Sequence, residues 1–235
     1  MNISGKKAVV FGGTSGIGLA TTKMLALGGA TVIAVSRDPA KAGPLPEGAT
    51  TAACDVCDAG AVEALLSGLA PFDILVSAAT GGGRAIGPFL EMDMEGYKSS
   101  FDKLWGYANV VRYGAAHVTD GGSITLVSGA PARKCKPGQV ALSSVGGAVE
   151  ALVRAVAHEV APRIRVNVVS PGTIDTPMVA AQGSERDALY TKMTQSNLVP
   201  RAGSADEVAK GLMFVIENDF VTGTTVDVDG GWLLS

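Results

Sequence analysis

A chain of 235 residues, 47% hydrophobic and 17% charged, suffices for one substantial core and is short for two ordinary domains. Its net charge of −3 is spread over interspersed acids and bases, which excludes the basic footprint of a nucleic-acid binder and a polybasic membrane anchor. Apolar runs are broken by charge or glycine before the ~18 residues that a membrane-spanning helix needs, so no membrane partner is expected.

Met1-Asn2-Ile3-Ser4 leads straight into an apolar strand at Lys7–Phe11, and no signal peptide is expected. Gly12-Gly13-Thr14-Ser15-Gly16-Ile17-Gly18 follows directly, with a helix predicted over Ile17–Leu27. A second strand, Thr31–Ser36, runs into Arg37, and Asp38-Pro39 reads as an N-cap with proline at the first helical position. After a third strand at Thr50–Cys54, Asp58 stands where it can cap a helix over Ala59–Leu69. Cys54 and Cys57 form a lone CxxC. Zinc wants four ligands and only His117 and His158 accompany the pair, so small buried hydrophobes are the better reading and no metal is expected. Three cysteines, an odd number, suit a reducing cytoplasm better than a disulfide framework.

Strands at Asp73–Ser77, Ser123–Ser128, Arg165–Ser170 and Thr224–Val228 then alternate with helices at Tyr97–His117, Gln139–Val160 and Ala205–Ile216. His158, beside Glu159 late in its helix, reads as a surface residue. The strands are mostly continuous apolar runs, as in a parallel sheet buried on both faces. The alternation predicts an α/β fold: a three-layer, doubly wound Rossmann-type sandwich on a seven-stranded, mainly parallel sheet. Residues 1–235 then form a single dinucleotide-binding domain, and the strandless stretch 176–203 is expected to be a helical lid over a substrate.

A glycine-rich turn between strand and helix is the confirming context for a nucleotide site. One glycine permits the tight turn, one lets backbone amides approach a pyrophosphate, and one allows close strand–helix packing. The helix beginning near Ile17 offers free N–H groups and its positive dipole end to the phosphates. The end of the second strand chooses between dinucleotides. Ser36-Arg37 supplies a hydroxyl and a planar cation where an acid would repel a 2′-phosphate, so NADP(H) is expected in preference to NAD(H).

The spacing Gly12-xxx-Gly16-x-Gly18 resembles that of the short-chain dehydrogenases/reductases, and the resemblance runs nearly end to end. Asp55-Val56 looks like that family's adenine-contacting pair, and Arg165 through Gly172 like its strand leading to the nicotinamide turn. Val221-Thr222-Gly223 and Val226 through Gly231 look like its closing strand. The resemblance implies cofactor contacts at Gly12, Thr14, Ser15, Gly16, Ile17, Gly18, Ser36, Arg37, Asp55, Val56, Ala78, Ala79, Pro171, Gly172, Ile174 and Thr176. It also implies a homodimer or homotetramer built on the two long central helices, where Gly146-Gly147-Ala148 would permit close packing. Two departures stand out. Phe11 replaces a threonine before the first glycine, and Ser77-Ala78-Ala79-Thr80 replaces Asn-Asn-Ala-Gly, which puts bracing hydrogen bonds in doubt.

The family's register places Leu142 in the slot of its catalytic tyrosine, Gly146 in that of its lysine and Gly129 in that of its serine, with Ser128 one residue earlier. Lys103 occupies the asparagine slot. No slip rescues the set, since no tyrosine lies between Tyr113 and Tyr190 and no lysine between Lys136 and Lys192. Loss of a general acid costs about 10²–10⁴ in rate, severe for a plain ketone and immaterial for an iminium ion.

Four residues are expected to replace the usual machinery. Lys103 brings positive charge near the cofactor or is a solvated helix-face lysine. Ser128 hydrogen-bonds the substrate or merely ends its strand; Arg133 binds an anionic group or is solvated; Asp175 faces the substrate or caps a helix. Trp105 and Phe89 suggest an apolar pocket. The sequence therefore supports an NADP(H)-dependent reductase of a small activated substrate, an imine, iminium or conjugated carbonyl, or else an NADP(H)-binding sensor without catalysis. Ordinary carbonyl reduction through Tyr190 of the lid ranks last, since that tyrosine lacks a tuning lysine.

Overall fold

The apolar runs pair into one parallel sheet in the computed structural model, which describes all residues from Met1 to Ser235. In chain order the strands are β1 (Lys7–Phe11), β2 (Thr31–Ser36), β3 (Ala49–Ala53), β4 (Phe72–Ser77), β5 (Val118–Val127), β6 (Arg165–Pro171), β7 (Ile174–Asp175), β8 (Gly203–Ser204) and β9 (Thr225–Val228). Seven of them form the sheet in the order β3-β2-β1-β4-β5-β6-β9, every pairing parallel. Near-continuous burial along β1, β4 and β6 is what predominantly apolar strands require when helices cover both faces.

The helices are α1 (Gly16–Leu27), α2 (Ala59–Leu69), α3 (Met94–Ser100), α4 (Asp102–Gly114), α5 (Val140–Val160), α6 (Gly183–Thr194) and α7 (Ala205–Glu217). Leu25 of α1 and Val208, Leu212, Val215 and Ile216 of α7 pack on one face of the sheet. Val62 and Leu66 of α2, Val110 of α4 and Val149 and Val153 of α5 pack on the other. The result is the three-layer, doubly wound arrangement. Local signals act as written: Asp58 accepts from the Ala61 amide at 3.0 Å, and Ser204 with Glu207 forms a capping box at the start of α7.

The structure amends or extends the sequence reading at four points. The single helix expected over Tyr97–His117 is two, because Asp93 caps an earlier start and the chain breaks into a new helix after Phe101. β5 begins at Val118, its Asp-Gly-Gly absorbed as an irregularity in the pairing with β4. The pair β7–β8 closes the base of the 176–203 segment, with the Gly203 amide on the Thr173 carbonyl at 2.9 Å. Finally, α5 is a 21-residue helix apolar enough in composition for a membrane span; here Val149 and Val153 bury it against the sheet.

Candidate active site

The parallel register decides what meets what. Phe11 pairs with Val35 and Ser77, Ser77 with Leu126, and Val127 with Val169. Gly12, Ser36, Ala78, Ser128 and Pro171 therefore leave the sheet at one edge, the carboxyl ends of the strands, where doubly wound sheets bind ligands. Two abutting cavities open there, sharing Ile17, Thr80, Thr176 and Met178.

The first, about 320 Å³, is lined by Gly12, Thr14, Ser15, Gly16, Ile17, Gly18, Ser36, Arg37, Asp55, Val56, Ala78, Ala79 and Thr176. Its floor is backbone. Gly12 has φ +75°, and a Cβ there would stand 2.8 Å from the Ala79 nitrogen. Gly16 has φ +50°, and a Cβ there would project across the cavity toward Thr176 at 3.5 Å. Ser15 at the α1 N-cap makes no side-chain cap bond, so the first amides of α1 are open to an anion. The Ser36 hydroxyl is buried without a partner, beside an exposed Arg37 that makes no ion pair. Asp38 does not cap; its carboxylate pairs with Lys41 at 3.0 Å instead. An orphan hydroxyl, a free guanidinium and a glycine cradle fit a phosphorylated dinucleotide. Cys54 is a buried hydrophobe as expected, whereas Cys57 is exposed, because α2 starts beyond it and leaves it at the surface.

The second cavity, about 230 Å³, is lined by Pro171, Gly172, Ile174 and Thr176 on one side and by Lys103, Ser128, Gly129, Leu142 and Gly146 on another. Lys103 turns inward and its Nζ donates to the Ser128 carbonyl at 3.1 Å. Burial, reinforced by the nearby Arg84 charge, brings its ammonium down to about 7. Ser128 lines the cavity, but its hydroxyl donates to the buried Glu150 carboxylate at 3.1 Å, so it is spent on the protein rather than offered to a substrate.

Two expected groups stay out of both cavities. Arg133 is held by Asp227 (3.0 Å from Nη1) and by Glu150 (3.4 Å), partners far off in sequence that outcompete solvent for its fork. Asp175 is exposed and pairs with Arg186 of α6, with Nε at 3.0 Å, which ties the segment down rather than aiming a carboxylate inward. Trp105 is 65% exposed on α4, and Phe89 lies edge-on to Tyr97 at 5.9 Å; neither reaches a cavity. Gly146 is not free for helix–helix packing between subunits, because a Cβ there would lie 2.9 Å from the Ala132 Cβ of its own chain.

The sequence reading missed Arg84, Met178 and Trp232, all on cavity walls. Arg84 carried a usable signal: Gly81-Gly82-Gly83 precedes it. A Cβ at Gly81 (φ +67°) would sit 2.7 Å from the Asp102 carbonyl carbon, so the loop threads against the start of α4. The bracing feared lost at Ser77 is indeed missing from its buried, unpartnered hydroxyl. Support comes from α4 instead, through Tyr107 to the Val127 carbonyl (3.0 Å) and Asn109 to the Val56 carbonyl (2.9 Å). Tyr190 does line the second cavity, yet burial raises its pKa and makes it a poorer acid.

Comparison with known proteins agrees with this geometry. A family model described as enoyl-(acyl carrier protein) reductase matches residues 12–233. L-xylulose reductase of Bos taurus is 31% identical over 243 residues, covering 99% of this chain and 98% of its own. Carbonyl reductase (NADPH) 2 of Sus scrofa is 30% identical over 245 residues, covering 100% and 99%. A crystal structure of a small-chain dehydrogenase in complex with NADPH superposes with a TM-score of 0.83 at 30% identity, covering 99% of this chain and 100% of that one.

Proposed function

The chain belongs to the short-chain dehydrogenase/reductase family, an oxidoreductase family, and from that premise we propose that it is an NADP(H)-dependent reductase of a small activated carbonyl compound. The observation that carries this reading is the Lys103 ammonium, half-buried and turned onto the Ser128 carbonyl (3.1 Å) on the wall of a cavity that adjoins the glycine cradle, where desolvation brings its pKa down to about 7. The cradle of Gly12, Gly16 and Gly18 and the pair Ser36–Arg37 would hold the dinucleotide, and Pro171, Gly172, Ile174 and Thr176 its nicotinamide end. NADPH supplies a hydride when bound. Lys103 holds the proton that the developing alkoxide needs, in place of the tyrosine for which Leu142 stands, and regains it from water. The second cavity carries cations and no carboxylate, which turns the choice away from an iminium ion and toward a conjugated or otherwise activated carbonyl.

The rest of the reading follows from the same features. Residues 176–203, stapled by β7–β8, act as the lid of a single domain, with Tyr190 and Met193 of α6 reaching the cavity. The exposed Trp105 on α4 is the kind of surface a homodimer or homotetramer would cover, and three free cysteines suit a cytoplasmic setting. A second reading, a cofactor-binding sensor without catalysis, draws on Ser128, Arg133 and Asp175 all being engaged elsewhere. Titration with NADPH and NADH, followed by NADPH oxidation against ethyl pyruvate and a cyclic enone, separates the two. Tight binding with turnover supports the reductase; tight binding with no turnover of either compound supports the sensor.

A further inference from the structure

Arg133, Arg163, Arg165, Arg186 and Arg201 are all locked into hydrogen bonds within the protein. Arg84 is not: it forms no ion pair or hydrogen bond, and it lines the second cavity. Its side chain is exposed at the cavity mouth, but its backbone is held. The Gly83 amide donates to Ser99 Oγ (3.3 Å) and the Ala85 amide to Ser100 Oγ (2.9 Å), so the backbone is pinned on both sides of Arg84 to the end of α3. Lys103 is the only other charged residue on the wall, and no aspartate or glutamate lines the cavity. Two like charges in one concave, partly desolvated site are costly until an anion arrives. A guanidinium with its fork free and its loop anchored suits a planar oxyanion.

We propose that the second cavity takes a substrate bearing an oxyanion, a carboxylate or a phosphate monoester, which Arg84 binds while Lys103 serves the adjacent carbonyl. This deepens the reductase reading and rests on it for the carbonyl. Arg84 becomes the residue that selects substrates, and 2-oxo acids become the simplest compounds that satisfy both cations.

Trp232 lines the cavity and Trp105 does not, so in the full-length Trp105→Phe protein the remaining tryptophan reports on occupancy. Benzoylformate, its neutral methyl ester and inorganic phosphate are titrated separately without cofactor. The expected result is about tenfold or greater preference for the acid over the ester, abolished by Arg84→Gln and partly restored by Arg84→Lys. Whichever of benzoylformate and phosphate acts at lower concentration names the source of the oxyanion. Equal affinity for acid and ester, or a preference that survives Arg84→Gln, overturns the proposal. NADPH oxidation with the same acid and ester tells the two readings apart. Arg84-dependent binding with no turnover of either supports the anion site and sinks the reductase. Turnover of both at equal kcat/KM, with no Arg84-dependent binding, does the reverse.

Discussion

The first cavity is walled largely by backbone: Gly12, Gly16 and Gly18 on one side, Ala78 and Ala79 on the other, with side chains important chiefly at Ser36 and Arg37. The second is walled by side chains drawn from the loop after β4, from α4, α5 and α6 and from the C-terminal turn, with Arg84, Lys103, Leu142, Tyr190 and Trp232 among them. A phosphate site made of amides and a helix terminus depends on strand ends meeting at one sheet edge, and that follows from the fold. A site made of side chains depends on which partner each one finds. The molecule therefore joins a cavity dictated by architecture to one dictated by composition.

The largest expected effect tests the composition. Lys103→Met should lower turnover of an activated carbonyl by about 10²–10⁴-fold. On the proposed mechanism the ammonium form is the donor, so kcat/KM should fall as pH rises through about 7, and the variant should lack that limb. The charges and rings facing Lys103 are Arg84, whose cation lowers its pKa, and the Tyr107 ring at 5.5 Å. Stability runs the other way. The folded state binds the Lys103 proton more weakly than the unfolded chain, so stability rises with pH between about 7 and the ordinary lysine value near 10.5. Lys103→Met should accordingly melt higher at neutral pH while being slower. A rate loss under tenfold would assign the proton to another group.

The first cavity is tested by Arg37→Ala, the next effect in size. A charge-assisted bond to a 2′-phosphate is worth about 1.5–3 kcal/mol, so NADPH affinity should fall roughly 10–100-fold while NADH affinity barely moves. Equal losses in calorimetric titration would leave Arg37 outside the phosphate site and the choice of NADP(H) without its structural basis.

These two variants also mark where the sequence was readable. The glycine turn, the buried strands and the ends Ser36 and Pro171 announce themselves, because glycine spacing and continuous apolar runs are local properties of the chain. The register of a family pattern placed Lys103 near the cofactor, and the structure puts it on the wall of the second cavity, although its desolvation came only with the packing of α4. Arg133 and Asp175 failed for a shared reason. Their partners Asp227 and Arg186 lie 94 and 11 residues away, and nothing local says which of several acids or bases will claim a long flexible side chain. The hydroxyl of Ser128 was lost to Glu150 in the same way. Arg84 has no periodicity to mark it, and its one local signal, the preceding Gly81-Gly82-Gly83, gains meaning only once that loop is seen to thread against the start of α4.

The smallest effect asks whether the space beside Gly146, at the wall of the second cavity, is open or filled. If Gly146 merely marked a vanished lysine, its slot would be open and alanine there would gain about 1 kcal/mol of helix propensity over glycine. The slot is filled: a Cβ would meet the Ala132 Cβ at 2.9 Å and its Cα at 3.4 Å, and neither atom is the end of a flexible chain. Gly146→Ala should thus be neutral or destabilising in denaturant titration, because overpacking cancels the propensity gain. In an Ala132→Gly background, where that neighbour is removed, the same substitution should stabilise by about 1 kcal/mol. A gain of equal size in both backgrounds would mean that Ala132 yields freely and the slot is vacant. A change of sign between them would mean that the segment carrying Ala132 fills the space beside Gly146, so that placing the tyrosine and lysine of the family pattern at Leu142 and Gly146 would damage packing before it added any chemistry.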